Sequence, residues 1–166
     1  EKDILKIPQP IIMKNGSKIM SLIDGSKKMS KSDPNEGSRI NLLDTPEIIS
    51  KKIKRAKSDS YVGLEFNNPE RAESRNLLMI YSILSGKEIS QCENEFSETG
   101  WGKFKKLITE QLVESLAPIQ EKYKVLINDP YQLNNILKEG KERADELANK
   151  TLKRVKSKLG FFAMEK

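Results

Sequence analysis

The sequence predicts a mostly α-helical protein with a short front part made of strand and loop. Short apolar runs bounded by turn residues occur in residues 1–43, whereas apolar residues spaced three and four apart dominate from residue 44 onward. Charged residues make up 33% of the 166 residues, above the usual share of about 25%. Hydrophobic residues, at 36%, are still sufficient for a modest helical core.

Two short apolar runs in the front part predict buried strands. Residues 11–13 and 19–23 are rich in Ile and Met, and prolines, Asn15-Gly16 or Asp24-Gly25 flank them. Such runs between turn residues are typical of short strands. Two or three strands are only marginally stable in water, so we expect this front part to form the edge of a larger sheet.

Three helices are predicted between residues 44 and 97. The first begins at residues 44–47, Asp-Thr-Pro-Glu, which combine a capping side chain, a proline in the first turn and an acid near the helix dipole. It extends to about Lys57. The second begins at residues 68–70 and ends before Gly86, and the third occupies roughly residues 88–97.

Two longer helices are predicted to follow. Apolar residues recur three and four positions apart over residues 104–126, and Pro118 lies inside this run, so the helix should bend or split there. Asp129-Pro130 starts the last helix, whose apolar stripe covers residues 133–159 before Gly160 ends it. We expect the two stripes to form the core of an antiparallel helical bundle.

The positive charge is concentrated in the front part. The net charge is +6, and residues 1–60 hold 13 basic and 8 acidic residues. A polyanion, either phosphate or nucleic acid, is therefore expected to meet the front part first. A solvated lysine-rich surface is the alternative that charge alone would favour.

Two scarce residue types exclude several classes of site from this chain. It has no histidine, which excludes Ser-His-Asp triads, Cys-His pairs and His-ligated zinc. Cys92 is the single cysteine, so we expect a buried filler on a helix rather than a disulfide or a reactive thiol. There is no apolar run of roughly 18 residues and no signal-peptide pattern, so we expect a reducing, cytoplasmic location without a membrane.

A loop between the last predicted strand and the first helix carries the chemistry. Residues 25–35, here called the lysine–serine loop, hold three lysines, three serines and a glycine. Such a loop offers ammonium groups, hydroxyls and backbone N–H groups to an anion without steric bulk. In a tight turn, the ammonium groups of Lys28 and Lys31 can converge on one polyphosphate. The sequence has neither a Walker A loop nor a G-x-G-x-x-G motif.

The centre of this loop, Lys28-Met29-Ser30-Lys31-Ser32, is the KMSKS signature of class I aminoacyl-tRNA synthetases. Further matching segments occur in order along the chain, at residues 19–22, 32–35, 38–44, 51–56, 76–82 and 100–106. Together they resemble the C-terminal half of a bacterial-type tryptophanyl-tRNA synthetase. The resemblance covers essentially the whole chain.

The resemblance implies a fold and an activity. Residues 1–60 would be the C-terminal edge of a Rossmann-like α/β catalytic domain with the KMSKS loop, and residues 61–166 a helical-bundle tRNA anticodon-binding domain. The implied reaction is the ATP-dependent activation of tryptophan to tryptophanyl-adenylate and its transfer to tRNA(Trp), with Mg²⁺ accompanying ATP. The full-length protein would be a homodimer, in the cytoplasm or as an organellar copy.

The resemblance also implies roles for individual residues. ATP would be bound by Ile19, Lys28, Met29, Ser30, Lys31 and Ser32. Of these, Lys28 and Lys31 would be catalytic, because they would hold the triphosphate as pyrophosphate leaves. Adenine would lie against Ile19 and Met29, although burial of Ile19 in a strand is an equal alternative. Gly25 would be the hinge of the loop, and no metal ligand is assigned.

Two other groups of residues have both a structural and a functional interpretation. The basic residues of the first helix (Lys51, Lys52, Lys54, Arg55 and Lys57) are expected to form a solvated face, and contact with tRNA phosphate is the alternative. Trp101 and Phe104 are expected to pack at a helix start, and stacking on an anticodon base is the alternative.

The family carries a second signature, the histidine-containing HIGH box, and this chain has no histidine. We therefore expect that the chain alone does not activate tryptophan. The competing interpretations are a non-enzymatic helical RNA-binding module and a purely structural bundle that retains an inactive loop.

Overall fold

The computed structural model describes residues 5–13 and 15–161, and this part of the chain is mainly helical. Its helices are α1 (Pro46–Arg55), α2 (Ala72–Ser85), α3 (Ile89–Glu95), α4 (Trp101–Ile127) and α5 (Pro130–Leu159), together with a short 3-10 helix at Glu36–Ser38. The five helices that the sequence predicts are all present. The mostly α-helical fold class is therefore confirmed.

The helix ends follow the predicted signals with one shift. Thr45 caps α1 by accepting a hydrogen bond from the Ile48 N–H, and Gly86 and Gly160 end α2 and α5 in the left-handed conformation. α2 begins only at Ala72 because Asn68 starts a turn instead, with its side chain accepting from the Glu70 N–H.

The predicted strands are not formed within the described residues. The front part has a single isolated antiparallel bridge, between Met20 and Lys28. Ile11, Ile12 and Met13 are 93%, 76% and 69% exposed, so that run is not a buried strand. A strand requires a neighbour that pairs with its backbone, and within the described chain the front part offers only this short hairpin.

Pro118 does not split α4, so of the two predicted alternatives, a bend or a split, the split is wrong. The helix continues for 27 residues through the proline, whose side chain is exposed. Proline removes one backbone N–H, and on an exposed face water can hydrogen-bond to the carbonyl that loses its partner.

The described residues divide into two compact units, one within residues 12–121 and one that joins the described parts of residues 1–11 and 122–166. The core of the first unit contains Leu22, Ile49, Ile53, Leu64, Leu77, Leu78, Tyr81, Phe96, Phe104, Ile108 and Leu112. Phe96 lies at its centre, with its ring centroid 5.0 Å from that of Tyr81 and 4.8 Å from that of Phe104. Cys92 is fully buried in this core, as predicted, and burial raises the pKa of its thiol.

The two long apolar stripes have different outcomes. The first part of the α4 stripe is core, because Phe104, Ile108 and Leu112 are buried. The α5 stripe is not, since no described α5 residue is buried and Leu147 is 69% exposed. The spacing correctly predicts an amphipathic helix. It does not supply the surface that would cover the apolar face, so the predicted bundle core is wrong for α5 within the described residues.

A buried arginine connects three segments of the first unit. Arg71, 2% exposed, donates two hydrogen bonds to the Asp59 carboxylate, at 2.8 and 3.0 Å, and one to the Gly63 carbonyl. The indole N–H of Trp101 donates to the same carboxylate at 3.0 Å. Burial alone would raise the pKa of Asp59, but these hydrogen bonds lower it below its usual value. Trp101 therefore packs at the start of α4, as predicted.

The basic face of α1 is only partly solvated, which corrects one prediction. Lys51, Lys54 and Arg55 are exposed, but Lys52 is buried with its ammonium group 2.5 Å from the Asp44 carboxylate. Lys57, beyond the helix, pairs with Glu73 at 2.8 Å. Lys52 lies on the inner face of α1 beside Ile49 and Ile53, so its charge requires a buried partner.

We predict that Asp59→Ala destabilises the first unit by about 3 kcal/mol, because it leaves a buried guanidinium without its main carboxylate. Urea unfolding followed by circular dichroism measures the loss. Glu98→Ala, which removes an exposed carboxylate of the same unit, is the control and should change stability by less than about 0.5 kcal/mol. Equal stability of the two variants would contradict the structural role of this ion pair.

We predict that stability is nearly constant from neutral pH to about pH 5 and falls as the pH drops through about 4. The pKa values of Asp44, Asp59 and Glu73 are all lowered in the folded chain, for although burial opposes ionisation, the hydrogen bonds from Lys52, Arg71 and Lys57 outweigh it. The unfolded chain therefore takes up protons at higher pH than the folded chain. Urea midpoints at constant ionic strength test this, and a profile that stays flat to pH 2 would contradict it.

Candidate functional site

The lysine–serine loop starts as the second arm of a small hairpin. The Ser21 N–H donates to the Lys27 carbonyl at 2.8 Å, and the Met29 N–H donates to the Ile19 carbonyl at 2.9 Å. These two bonds flank the bridge between Met20 and Lys28. Ile19 and Met29, the two residues that the resemblance places against adenine, are therefore neighbours.

A tight turn joins the two arms. The Lys27 N–H donates to the Asp24 carbonyl, and the Asp24 carboxylate accepts hydrogen bonds from both the hydroxyl and the N–H of Ser26. The Ser26 hydroxyl and N–H are the main reasons that the pKa of Asp24 is lowered. Lys27 also pairs with Asp24, at 3.3 Å, so its ammonium group is partly neutralised within the turn.

Helix α2 supports the first arm of the hairpin through Asn76. The Met20 N–H donates to Asn76 Oδ1 at 2.8 Å, and Asn76 Nδ2 donates to the Met20 carbonyl at 2.8 Å. Asn76 is 4% exposed. The side chain thus binds the Met20 backbone as a neighbouring strand would.

Gly25 lies against the first turn of α2. A Cβ atom at this position would lie 2.9 Å from the Ala72 carbonyl carbon and 3.0 Å from the Glu73 nitrogen, so the close approach of two backbones requires glycine. The Glu73 carboxylate pairs with Lys57 at 2.8 Å, and although burial opposes ionisation, this contact and, to a smaller extent, the Gly25 backbone lower the pKa of Glu73. The beginning of the loop is therefore fixed to the helix.

The exposed part of the loop carries the groups suited to bind an anion. Lys28, Ser30, Lys31 and Ser32 are exposed, and the Ser30 and Ser32 hydroxyl oxygens lie 3.1 Å apart. Among the described residues, neither Lys28 nor Lys31 has an ion-pair partner. The Met29 side chain instead packs against the core and holds the centre of the signature down.

The far end of the loop is held by Arg39. Its guanidinium donates to the Asp33 carbonyl at 2.8 Å and to Asn41 Oδ1 at 3.1 Å. Asn35 caps the short 3-10 helix that follows the loop by accepting from the Gly37 N–H. The loop is therefore anchored at both ends, and the ammonium groups of Lys28 and Lys31 project between the anchors.

Among the cavities near this hairpin and helix α1, two are lined by residues that support the loop or the start of α4. One, of about 400 Å³, is lined by Lys18, Met20, Gly25, Asn68, Arg75 and Asn76 among others. The second, of about 730 Å³, lies between the last turns of α1 and the start of α4. Lys105 lines the second cavity and donates to the Ala56 carbonyl at 2.6 Å, and burial lowers its pKa. Neither cavity gathers the loop lysines.

The sequence analysis missed the residues that hold the loop in place. Arg39 and Asn76 lie in the matching segments 38–44 and 76–82, but those segments do not reveal that each side chain binds the backbone of another residue. No spacing signal marks the pair on α2, because Glu73, Ser74, Arg75 and Asn76 are four polar residues in a row.

Most of the chain matches the model of a known protein family. The model described as tRNA synthetases class I (W and Y) matches residues 1–117. The chain belongs to the class I tRNA synthetases (W and Y). The KMSKS signature that the resemblance rests on lies inside the matched range.

Curated relatives of this synthetase family match along nearly the whole chain. A tryptophan–tRNA ligase of Prochlorococcus marinus subsp. pastoris is 78% identical over 166 residues, which is 100% of this chain and 49% of that protein. A second, from another strain of Prochlorococcus marinus, is 61% identical over 96% of this chain and 47% of that protein. The chain thus spans about half the length of the curated relatives it matches.

Solved structures of the same synthetase family share the fold. Tryptophanyl-tRNA synthetase from Mycoplasma pneumoniae matches with a TM-score of 0.85 and 31% identity, over 95% of this chain and 48% of that chain. The enzyme from Campylobacter jejuni, complexed with ADP and tryptophan, has a TM-score of 0.65 and 21% identity over 96% of this chain and 48% of that chain. Among the described helices, none is both long and apolar enough to span a membrane.

We predict that Gly25→Ala destabilises the first unit by about 1–3 kcal/mol, because the new Cβ meets the backbone of α2 rather than a movable side chain. Urea unfolding gives the change. Gly102→Ala is the matched control, since no atom lies within 4 Å of its added Cβ, and it should be neutral or stabilise by up to about 1 kcal/mol. Equal effects of the two substitutions would contradict the close approach at Gly25.

Proposed function

We propose that this chain is the C-terminal half of a tryptophan–tRNA ligase and supplies its KMSKS loop and tRNA-binding helices. One observation carries the proposal: the KMSKS signature stands on a hairpin fixed at both ends, with Lys28 and Lys31 exposed and unpaired within the described residues. Two nearby lysines with a structural role, Lys52 and Lys57, each have a carboxylate partner. The 78% identical relative supports tryptophan as the amino acid.

The loop lysines would act on the triphosphate of ATP. As the tryptophan carboxylate attacks the α-phosphate, negative charge grows on the departing pyrophosphate. Ammonium groups that are already in place stabilise this charge mainly in the transition state. Ser30 and Ser32, whose hydroxyls already approach each other, steady the loop or donate to phosphate. Mg²⁺ enters with ATP, and no residue of this chain is assigned to it.

Adenine would bind beside the hairpin, against Ile19 and Met29. Both side chains are half-buried, and the bond between the Met29 N–H and the Ile19 carbonyl keeps them together. Gly25 would be the point about which the outer loop moves. Its contact with α2 supports this assignment, because a pivot requires a fixed end.

The division of labour along the chain is part of the proposal. Residues 1–60 would form the C-terminal edge of a Rossmann-like catalytic domain, and residues 61–166 the helical domain that binds the tRNA(Trp) anticodon. The strand partners that residues 19–23 lack within the described chain and the uncovered stripe of α5 support a larger whole. That whole would be a homodimer in the cytoplasm, or in an organelle like the relative named chloroplastic/mitochondrial in Arabidopsis thaliana, 47% identical.

A chimera tests the proposal. This chain replaces the matching half of the 78% identical Prochlorococcus ligase, and ATP–pyrophosphate exchange is measured with each amino acid. We expect exchange with tryptophan only. A folded chimera that exchanges with no amino acid but binds tRNA in a salt-sensitive manner would instead favour the RNA-binding module.

We predict that Lys28→Ala or Lys31→Ala in this chimera lowers kcat/KM for ATP by roughly 10–150-fold, the value of one charge-assisted hydrogen bond of about 1.5–3 kcal/mol. Lys27→Ala is the matched control, because Lys27 lies in the same turn but pairs with Asp24 at an exposed position. It should change the rate by less than about threefold. Equal losses for Lys27 and Lys28 would refute specific roles for the signature lysines.

A further inference from the structure

The backbone of Met20 is bound on both of its sides. In an antiparallel hairpin, some opposite residues form no backbone hydrogen bonds with each other, because the bonds between the strands are made by the residues before and after them. The N–H and C=O groups of such a pair point away from the partner strand. Met20 and Lys28 form such a pair, because the bonds from the Ser21 N–H and the Met29 N–H flank it. The Met20 N–H and C=O therefore face outward, where Asn76 binds both.

The carboxamide of Asn76 is oriented by these contacts. Oδ1 faces the Met20 N–H at 2.8 Å, and Nδ2 faces two carbonyl oxygens, that of Met20 at 2.8 Å and that of Ser21 at 3.5 Å. The reverse orientation would place donor against donor and acceptor against acceptors. All its hydrogen bonds go to the first arm of the hairpin, and none serves the helix on which it lies.

Glu73 lies one turn before Asn76, on the same face of α2. Gly25 packs against the α2 backbone at Ala72 and Glu73, and Asn76 binds Met20. One helix face thus holds both the turn and the first arm of the hairpin. By contrast Ser82, equally buried on α2, donates to the Lys87 carbonyl just beyond the end of its own helix.

We propose that Asn76 is a positioning residue for the KMSKS loop: it fixes the Met20 backbone, and through the Met20–Lys28 bridge it fixes where the Lys28 side chain begins. This inference rests on the proposed function, in which Lys28 acts on the triphosphate. Asn76 itself touches neither ATP nor tryptophan. Its loss should lower the rate of adenylation without weakening tryptophan binding.

The cavity beside the hairpin explains how the effect would arise. Asn76 and Met20 both line the space of about 400 Å³. Without the carboxamide, water enters to bind the freed Met20 groups, and the arm is no longer held at a fixed distance from α2. Displacements of about 1 Å in a reacting constellation cost up to about 100-fold in rate.

The test uses the chimera with Asn76→Ala, Asn76→Asp and the control Ser82→Ala, which removes a buried hydrogen bond from the same helix. We expect Asn76→Ala to lower kcat/KM for ATP by about 10–100-fold with KM for tryptophan unchanged, and Ser82→Ala to change it by less than about threefold. Asn76→Asp should be at least as harmful as alanine, because a carboxylate would face two carbonyl oxygens. An active Asn76→Asp variant would show that Asn76 only fills space, and would overturn the proposal.

A double substitution separates positioning from general damage. If Asn76 acts through Lys28, Asn76→Ala should cost at most about threefold when Lys28 is already alanine. A full 10–100-fold loss in that background would overturn the proposal, because the two residues would then act independently.

Hydrogen exchange distinguishes failure of this inference from failure of the proposed function. In the same chimera, Asn76→Ala should speed exchange of the Met20 and Met29 amides at least tenfold and leave that of Ile108 in the core unchanged, and Ser82→Ala should alter neither hairpin amide. Unchanged exchange at Met20 and Met29 would overturn the positioning role whether or not the chimera is active. Faster exchange in a chimera that never activates tryptophan would support the positioning role of Asn76 and contradict the proposed enzymatic function.

Discussion

The hydrogen bonds that the front part of the chain cannot obtain from a sheet determine how this structure presents its loop. An extended backbone directs N–H and C=O groups to both sides, and each group needs a partner when it is withdrawn from water. The hairpin between residues 19 and 29 supplies one side, and a carboxamide on α2 supplies the other. Gly25 then packs so closely against the α2 backbone that a Cβ atom there would lie 2.9 Å from the Ala72 carbonyl carbon. The position of the signature lysines depends on these contacts.

Charge is treated differently in the interior and in the loop. Interior cations have fixed partners: Arg71 binds Asp59, and Lys52 binds Asp44. Lys105, half-buried, is bonded to backbone carbonyls. The ammonium groups of Lys28 and Lys31 stand apart from this pattern within the described residues, because their surroundings offer them no anion. A polyphosphate would complete a set of interactions that the protein leaves open there.

The sequence predicted the helices because helix-forming signals are local. Thr45 with Pro46, Gly86, Asp129 and Gly160 each mark a helix end within a few residues of themselves, and the structure follows them. The predicted strands are not formed because a strand depends on a neighbouring strand, and the spacing of apolar residues does not reveal whether one is present. The prediction that Lys52 is solvated was wrong because its burial depends on the angular position of this one residue on α1. A count of basic residues does not contain that information. The prediction that the α5 stripe is core was wrong for the same reason as the predicted strands. The apolar face is encoded by nearby residues, but the surface that would cover it is not.

The sequence motif identifies the candidate loop, but it does not identify the residues that hold the loop in place. Lys28 and Lys31 belong to a motif of consecutive residues, and such a motif is visible in one sequence. Asn76 acts on Met20 across 56 positions, and a lone asparagine in a helix has no pattern that announces such a contact. Roles that depend on a distant backbone atom become visible only when the fold brings the two together.

Trp101 is the chain's single tryptophan, and its surroundings give it a use as a spectroscopic probe. Its indole N–H is bonded to the carboxylate that also holds Arg71, and its ring lies 5.8 Å from the Lys105 ammonium group and 6.5 Å from the Phe104 ring. Tryptophan emission, excited selectively over that of the tyrosines, therefore reports on the junction of residue 59, α2 and α4. It is silent on residues 122–161, so a fluorescence melting curve describes the unit of residues 12–121 and not the last helix.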